Sequence, residues 1–416
     1  MAKKFTKNHY SSAMFDITQD INGGLPIKLI EQWLESEQTY QDALQVLNPY
    51  KVKGYSISSD SAGLTKLSQQ KKLLEILAII NQPKEIVHGF GTAIGGQAIG
   101  IWAADNTQMF YPASISPITL LAAMLKVQDE INKRCQIKIG LAAHYGEFFY
   151  INGGLYGLEA ETIEEIAEND TEGGEFVISQ SIYNLLPETH NFTLFKKTEQ
   201  PTPIGDIFRV IDGAHLSDIQ PLDTKYPIPY SEGFYNDLVT YTNRQYDYNF
   251  GKVLEDKYIQ KKVVVLVEAR STSSEADDYL MLNSLSIALM MRDIATQLFI
   301  KSNGMEIKMV GALGIYVFDE AAIGINFAQA FRKELAKQEI ACRIGIDIGS
   351  VLIFELRSGG KDIAGMPVNI ASKMAQDKGE FGKLYLSESM KEFVDVREFR
   401  EVRYIVSGVE ITTYEG

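Results

Sequence analysis

Residues 342–387 read CRIGIDIGSVLIFELRSGGKDIAGMPVNIASKMAQDKGEFGKLYLS. Apolar runs at Arg343–Ile348 and Val351–Leu356 predict two strands, Met366–Ala375 has the apolar spacing of a helix, and Leu384–Ser387 predicts a further strand. The same order occurs once earlier in the chain. Gly174–Ser179 (GEFVIS) superposes on Gly382–Ser387 (GKLYLS), and running back without gaps sets Gly157 opposite Gly365. A repeat of roughly two hundred residues is a domain duplication, since solenoid repeats run about 20 to 50 residues.

Working outward, the first copy predicts strand Gly54–Ser59, helix Leu67–Ile80 and two apolar strands meeting at Gly95-Gly96. Helix Ile118–Asn132, strands Ile137–Ala143 and Glu147–Ile151, helix Leu158–Ala167 and strand Phe176–Ser179 follow. The second copy predicts strand Lys262–Val267, helix Ala276–Ile300, strands Met305–Val310 and Leu313–Phe318, and helix Ala321–Leu335 ahead of the quoted stretch. This β-α-β-β-α-β order with additions predicts an α+β class: two ferredoxin-like domains, each a sheet with helices on one face. The boundaries read as an N-terminal helical extension over 1–52, a first domain over 53–212, a linker over 213–261 and a second domain over 262–416. Ile27, Leu29, Ile30 and Trp33 stand at helical spacing in the extension, while Pro221, Pro227, Pro229 and a tyrosine-rich stretch with one helix mark the linker.

A chain of 416 residues is too long for one ordinary core and suits two domains. Hydrophobic content of 45% and charged content of 23% are those of a folded globular protein. The net charge of -14 repels nucleic acid and anionic bilayers at long range, so neither is an expected partner. No apolar run approaches the roughly 20 residues of a membrane span. The start, MAKKFTKNHYSS, has basic residues without an apolar core behind them, which is not the pattern of a secretory signal, and a cytoplasmic location is expected. Two cysteines, Cys135 and Cys342, read as buried thiols rather than a disulfide framework or a metal site.

The stretch 342–387 resembles the substrate-binding half of class III adenylyl and guanylyl cyclases. The family pattern R-x-G-I-x-x-G, then D-x-x-G-x-x-V-N-x-A-x-R and a closing G-x-x-x-x-S, is met from Arg343 to Ser387, with Lys373 where the family has arginine. Upstream, EIKMVGALGIYVF resembles the family's K-x-x-G-[DS] hairpin with Lys308 at the lysine. In the first copy, SISSDSAGLTKLS resembles the turn D-x-x-G-F-T-x-L, with Asp60 at the aspartate. The resemblance implies two cyclase-like domains packed head to tail as an intramolecular pseudo-dimer. Each composite site would take metal carboxylates from one domain and substrate contacts from the other. The implied reaction is ATP to cyclic AMP and pyrophosphate, with Mg²⁺ or Mn²⁺ as cofactor.

In one site, Asp60 would be the metal ligand. The second family aspartate falls on Ile94-Gly95-Gly96, where Gly96 replaces it, so that Asp105 or the nucleotide's own oxygens would have to complete the metal set. Opposite, Lys308 and Asp362 would read adenine, the lysine donating to ring N1 and the carboxylate accepting from the exocyclic amine. Asn369 would orient the ribose and Lys373 would face the phosphates as the catalytic pair; they are four residues apart on one helix face. Lysine there keeps the charge but loses the bidentate fork of arginine. No equivalent of the family's further phosphate lysine stands in EVRYIVSGVEITTYEG. The other site reads as defunct, with Glu268 and Ala312 at the metal positions and Thr92, Gly154, Glu161 and Glu165 at the substrate positions. Taken alone, Asp60 would read as a turn-capping residue, Asn369 and Lys308 as solvated polar positions, and His144 as a core or surface histidine. Two functions follow: a slow adenylyl cyclase, or a pseudocyclase that binds nucleotide or a protein partner without turnover.

Overall fold

A computed structural model of the protein describes residues 26–64, 67, 70–100, 102, 105–197, 201–213, 219–222, 228–271, 280–357, 359–406 and 409–416. The start MAKKFTKNHYSS, Pro227 and the first residues of the helix expected from Ala276 lie outside these residues.

Two short helices, α1 (Ile27–Glu35) and α2 (Tyr40–Leu47), come first. The first copy follows as β1 (Lys51–Ala62), α3 (Leu73–Ala93), β2 (Gln97–Ile99), β3 (Thr107–Pro112), α4 (Pro117–Arg134), β4 (Lys138–Ile151), β5 (Gly154–Tyr156), α5 (Leu158–Asn169), β6 (Phe176–Ser179), α6 (Gln180–Leu185), β7 (Thr193–Lys196) and β8 (Ile207–Asp212). Helices α7 (Glu232–Asn243) and α8 (Tyr248–Tyr258) lead into the second copy. It comprises β9 (Ile259–Ser271), α9 (Leu280–Phe299), β10 (Gly304–Val310), β11 (Leu313–Phe318), α10 (Ala321–Lys337), β12 (Ile340–Glu355), β13 (Lys361–Ala364), α11 (Met366–Ser372), β14 (Leu384–Ser387), β15 (Arg400–Val406) and β16 (Val409–Glu415).

Each copy builds an eight-stranded sheet, β2-β3-β1-β4-β6-β8-β7 with β5 on β4, and β10-β11-β9-β12-β14-β16-β15 with β13 on β12. The duplication holds residue by residue. Leu141 faces Phe176 in the parallel β4–β6 pair as Ile344 faces Leu384 in β12–β14. Gly157 and Gly365, aligned in the sequence, precede α5 and α11 with φ of +110° and +143°, a backbone that side-chain-bearing residues avoid.

The helices cover both faces of the sheet rather than the one face expected. In β9 the run Val263–Val267 is apolar at every position, the pattern of a strand buried on both sides. Val263 meets Gly324 of α10, whereas Val264 and Leu266, pointing the other way, share a core with Ala371 of α11 and Ala375. By register the places of Val264 and Leu266 in β1 are taken by Ser56 and Ser58, paired with His144 and Ala142 as those residues pair with Asp347 and Gly345. Both serines are buried, and their hydroxyls have no hydrogen-bond partner among the described residues. An unsatisfied buried hydroxyl costs about 1–3 kcal/mol, so Ser56→Val is expected to raise the urea midpoint of the protein. A lowered midpoint would show that the hydroxyl is bonded in solution.

Residues 47–248 form one compact unit, and 249–416 together with the segment before residue 47 form the other. The segments expected as extension and linker are thereby parts of these units. Helix α1 lies against α9, with Trp33 Nε1 donating to Asn283 Oδ1 at 3.2 Å. Helix α7 lies against α3, with the Tyr235 hydroxyl donating to Glu85 Oε1 at 3.0 Å. Each unit thus includes the helix that precedes the other copy, packed on one of its own helices. No helix among the described residues is long and apolar enough to cross a membrane, and Cys135 and Cys342 are buried free thiols.

Candidate functional site

In the unit that contains residues 249–416, strands β10 and β13 bring two of the expected groups together. Lys308 Nζ stands 2.8 Å from Asp362 Oδ1, and the carboxylate is almost completely buried. The same oxygen accepts from the Ile363 backbone N–H at 2.8 Å. A β-bulge between Glu306 and Lys308 shifts the register of β10 just before the lysine. The ammonium and the carboxylate thus stand side by side, hydrogen-bond donors next to an acceptor.

Asn369 is exposed and Lys373 half-buried. The Lys373 backbone N–H donates to the Asn369 carbonyl, so the two residues keep α-helical register and share a face. From Lys373 to Asp377 the helix widens into a π-turn. Gly345 explains why this helix lies so close to the sheet: a Cβ there would stand 2.1 Å from the Ala371 carbonyl oxygen. The first glycine of the quoted motif therefore admits the backbone of α11 itself.

In the unit 47–248, Asp60 sits near the end of β1, half-buried. Burial, followed by the charges of Asp105 and Glu168, pushes its carboxyl up to about 7, against a lowering hydrogen bond from the Ser61 backbone. Burial also raises the Asp105 carboxyl, tempered by its own backbone N–H and by the charge of Lys84. The charge of Asp105 is thus one cause of the rise at Asp60, which puts the two carboxyl groups within electrostatic reach of one another.

The register identifies Asp105 and corrects the expectation at Gly96. Ser59 pairs with Thr107 as Val267 pairs with Gly314. Two residues before Thr107 comes Asp105, and two before Gly314 comes Ala312. Asp105 therefore holds the position that the resemblance gives to the second metal aspartate. The two strands expected to meet at Gly95-Gly96 are not there. Helix α3 continues through Pro83 to Ala93, because Ile86, Val87 and Phe90 keep its apolar face buried, and the hairpin runs from Gln97 to Pro112.

The equivalent carboxylate of the other unit is engaged elsewhere. Arg343 Nε and Nη2 donate to Glu268 Oε2 at 3.0 and 2.8 Å, while the residue opposite Asp60 in the same register is Gly140. Thr92 is corrected likewise. It lies in the last turn of α3, and the residue that meets β3 as Lys308 meets β11 is Ile99, buried with Phe148, Leu155 and Ala160. Gly154 pairs with Ile151 as Asp362 pairs with Phe354, so the carboxylate is missing there. Glu161 and Glu165 stand on α5, and burial and the charge of Glu165 raise the Glu161 carboxyl. The positions that carry Lys308 and Asp362 in the other copy are thus held here by an apolar side chain and a glycine, beside two glutamates. His144 is a core residue: Nδ1 lies 2.8 Å from Ser179 Oγ, matching the Asp347–Ser387 contact of the other copy.

Mg²⁺ and Mn²⁺ fit the Asp60–Asp105 pair in kind, since both prefer oxygen donors and Mg²⁺ is commonly held by one or two carboxylates plus substrate phosphates and water. Among the described residues no cluster of three or more His, Cys, Asp or Glu side chains could hold a metal without such help.

No family model and no curated protein matches the sequence. Among solved structures, the chain is similar to a class III adenylyl cyclase-like ATP-binding protein from Pseudomonas aeruginosa, with 9% identity, a TM-score of 0.52, and coverage of 83% of this chain and 85% of that one. It is also similar to the adenylyl cyclase CyaB from P. aeruginosa, at 14% identity and a TM-score of 0.35 over 41% of this chain and 98% of that one. An adenylate/guanylate cyclase/hydrolase from Silicibacter pomeroyi is matched at 19% identity and a TM-score of 0.31, over 38% of this chain and 96% of that one. The first likeness shows the fold, a class III cyclase-like architecture over most of the chain.

Proposed function

We propose that the protein binds ATP with a divalent cation and converts it slowly to cyclic AMP and pyrophosphate. The observation that carries this reading is the Lys308–Asp362 pair, with Asn369 and Lys373 following on α11, in the unit whose carboxylate Glu268 is tied to Arg343, while Asp60 and Asp105 stand in the unit that has Ile99 and Gly154 in place of that pair. Each unit keeps the half that the other has lost. Asp60 and Asp105 would hold the cation, which supplies positive charge against the α-phosphate and the ribose 3'-oxygen. Lys308 and Asp362 would select the base, Asn369 would orient the ribose, and Lys373 would face the phosphates as a point charge.

A second reading, ATP binding without turnover, is favoured by Lys373, because an ammonium cannot grip two phosphate oxygens in the planar fork of a guanidinium. Titration calorimetry with ATP and GTP, followed by an assay for cyclic product under Mg²⁺ and Mn²⁺, separates the readings. ATP is expected to bind at least about tenfold more tightly than GTP, since a mismatched base leaves buried polar groups unpaired. Asp362→Ala is expected to erase that preference. Equal affinity for both nucleotides in the parent protein would refute the base assignment, and tight ATP binding without product would establish the second reading.

A further inference from the structure

Lys84, midway along α3, is 0% exposed. Taking an ammonium out of water is costly unless nearby groups compensate it, so a wholly buried lysine marks a place where its charge and its donors are used. Its Nζ donates to the carbonyl oxygen of Trp102 at 2.6 Å. Trp102 is buried as well, its indole Nε1 donating to the Ile99 carbonyl at 2.9 Å and its ring meeting His88 edge-on with centroids 5.8 Å apart. Ile99 ends β2, Thr107 begins β3, and Asp105 lies between them, three residues beyond Trp102.

The other unit shows why such an anchor matters. There the corresponding turn between Val310 and Leu313 is only Gly311-Ala312, fixed by its own strands. The connection that delivers Asp105 is longer, and a longer connection has more conformational freedom to lose before a side chain on it is held in one place. Lys84 grips that connection from inside the unit, through a charge-assisted bond to a backbone carbonyl that no side-chain substitution in the connection removes.

We infer that Lys84 is a positioning residue: by holding the Trp102 carbonyl it fixes the β2–β3 connection so that Asp105 stands beside Asp60, and through that geometry it sets the affinity for a divalent cation. The inference rests on the reading of Asp60 and Asp105 as cation ligands. It gives a buried cation the role of strengthening, not opposing, the binding of another cation.

The test uses the full chain carrying Trp33→Phe, which leaves Trp102 as the only one of the two tryptophans, with Mn²⁺ and Mg²⁺ binding followed by calorimetry and Trp102 emission followed in parallel. Lys84→Met is expected to weaken cation binding by about tenfold or more, the usual loss when a group supporting a metal ligand is removed, and to shift Trp102 emission to the red. Lys84→Gln, which keeps a donor for the carbonyl and suits the case in which the methionine variant does not fold, is expected to weaken binding less. Unchanged or tighter binding in a folded Lys84→Met or Lys84→Gln protein would overturn the inference; tighter binding is what a merely opposing charge predicts. Asp60→Asn and Asp105→Asn separate the two levels. If they abolish cation binding and the Lys84 variants leave it unchanged, only the role of Lys84 falls; if they too leave it unchanged, the metal reading falls with it.

Discussion

Asp105→Asn is expected to weaken, though not remove, the dependence of stability on pH, because burial remains the main cause of the Asp60 shift, and to abolish the stabilisation that Mg²⁺ gives at pH 8. A carboxyl raised to about 7 at Asp60, against an ordinary value near 4, retains its proton in the native state where the unfolded chain has lost it. Between about pH 4 and 7 the native state therefore binds more protons, and stability falls as pH rises through that window. For a half-buried, solvent-screened pair the loss is on the order of 2 kcal/mol. A divalent cation binds the ionised pair, so Mg²⁺ should restore stability at pH 8 and do little at pH 5. Asparagine at 105 removes one of the repelling charges and one of the ligands together. Urea titrations at pH 5 and 8, with and without Mg²⁺, measure all four corners, and cyclic AMP formation in the parent should drop by at least about a hundredfold in the variant, the scale of losing a charge-stabilising group. Identical pH and Mg²⁺ responses in parent and variant would mean that Asp105 is not a ligand.

Gly96→Asp is expected to destabilise the unit and restore nothing. An ideal Cβ at Gly96 would lie 2.4 Å from the Tyr111 ring and 2.8 Å from the Gly91 carbonyl oxygen, and Tyr111 is fully buried. The obstacle is steric: the left-handed glycine of this pair is Gly95, at φ +93°, not Gly96. Overpacking of this kind costs about 1–3 kcal/mol, and an unpaired carboxylate in the same place adds to it. For a unit of about two hundred residues that is a fall in Tm of roughly 5 °C or more. Gly96→Ala should show most of the loss, because the first added carbon already collides. If Gly96→Asp instead melts like the parent and gains metal-dependent activity, the position of Asp105 in the hairpin has been misread.

The second copy was legible in the sequence because its chemistry lies in one short ordered stretch. Arg343, Gly345, Asp362, Gly365, Asn369 and Lys373 have fixed spacings, and the Lys308–Asp362 pair needed only the hairpin upstream. The first copy was not, for two physical reasons. Pro83 and the glycines from Gly89 to Gly96 look like helix breakers, yet tertiary burial of Ile86, Val87 and Phe90 carries α3 past them, which displaces the hairpin and hides Asp105. Ser56 and Ser58 interrupt the apolar run that makes β9 plain. Lys84 carried no local signal, since its only distinction is what surrounds it. The exchange of α1 and α7 was equally hidden: an apolar helix face states that something covers it, not which copy does.

That exchange has a consequence for the order in which the protein can be made. Trp33 and its partner Asn283 are separated by 250 positions. At a synthesis rate of about 5–20 residues per second, α1 leaves the ribosome roughly 10 to 50 s before α9 exists to receive it. The unit 47–248 is uninterrupted and can close as soon as it emerges, whereas the other unit must recruit a segment made before the first one began. Between those moments the apolar face of α1, with Leu29, Ile30 and Trp33, stays uncovered. This is the interval in which a nascent chain would draw on a chaperone or exchange α1 with a neighbour on the same messenger.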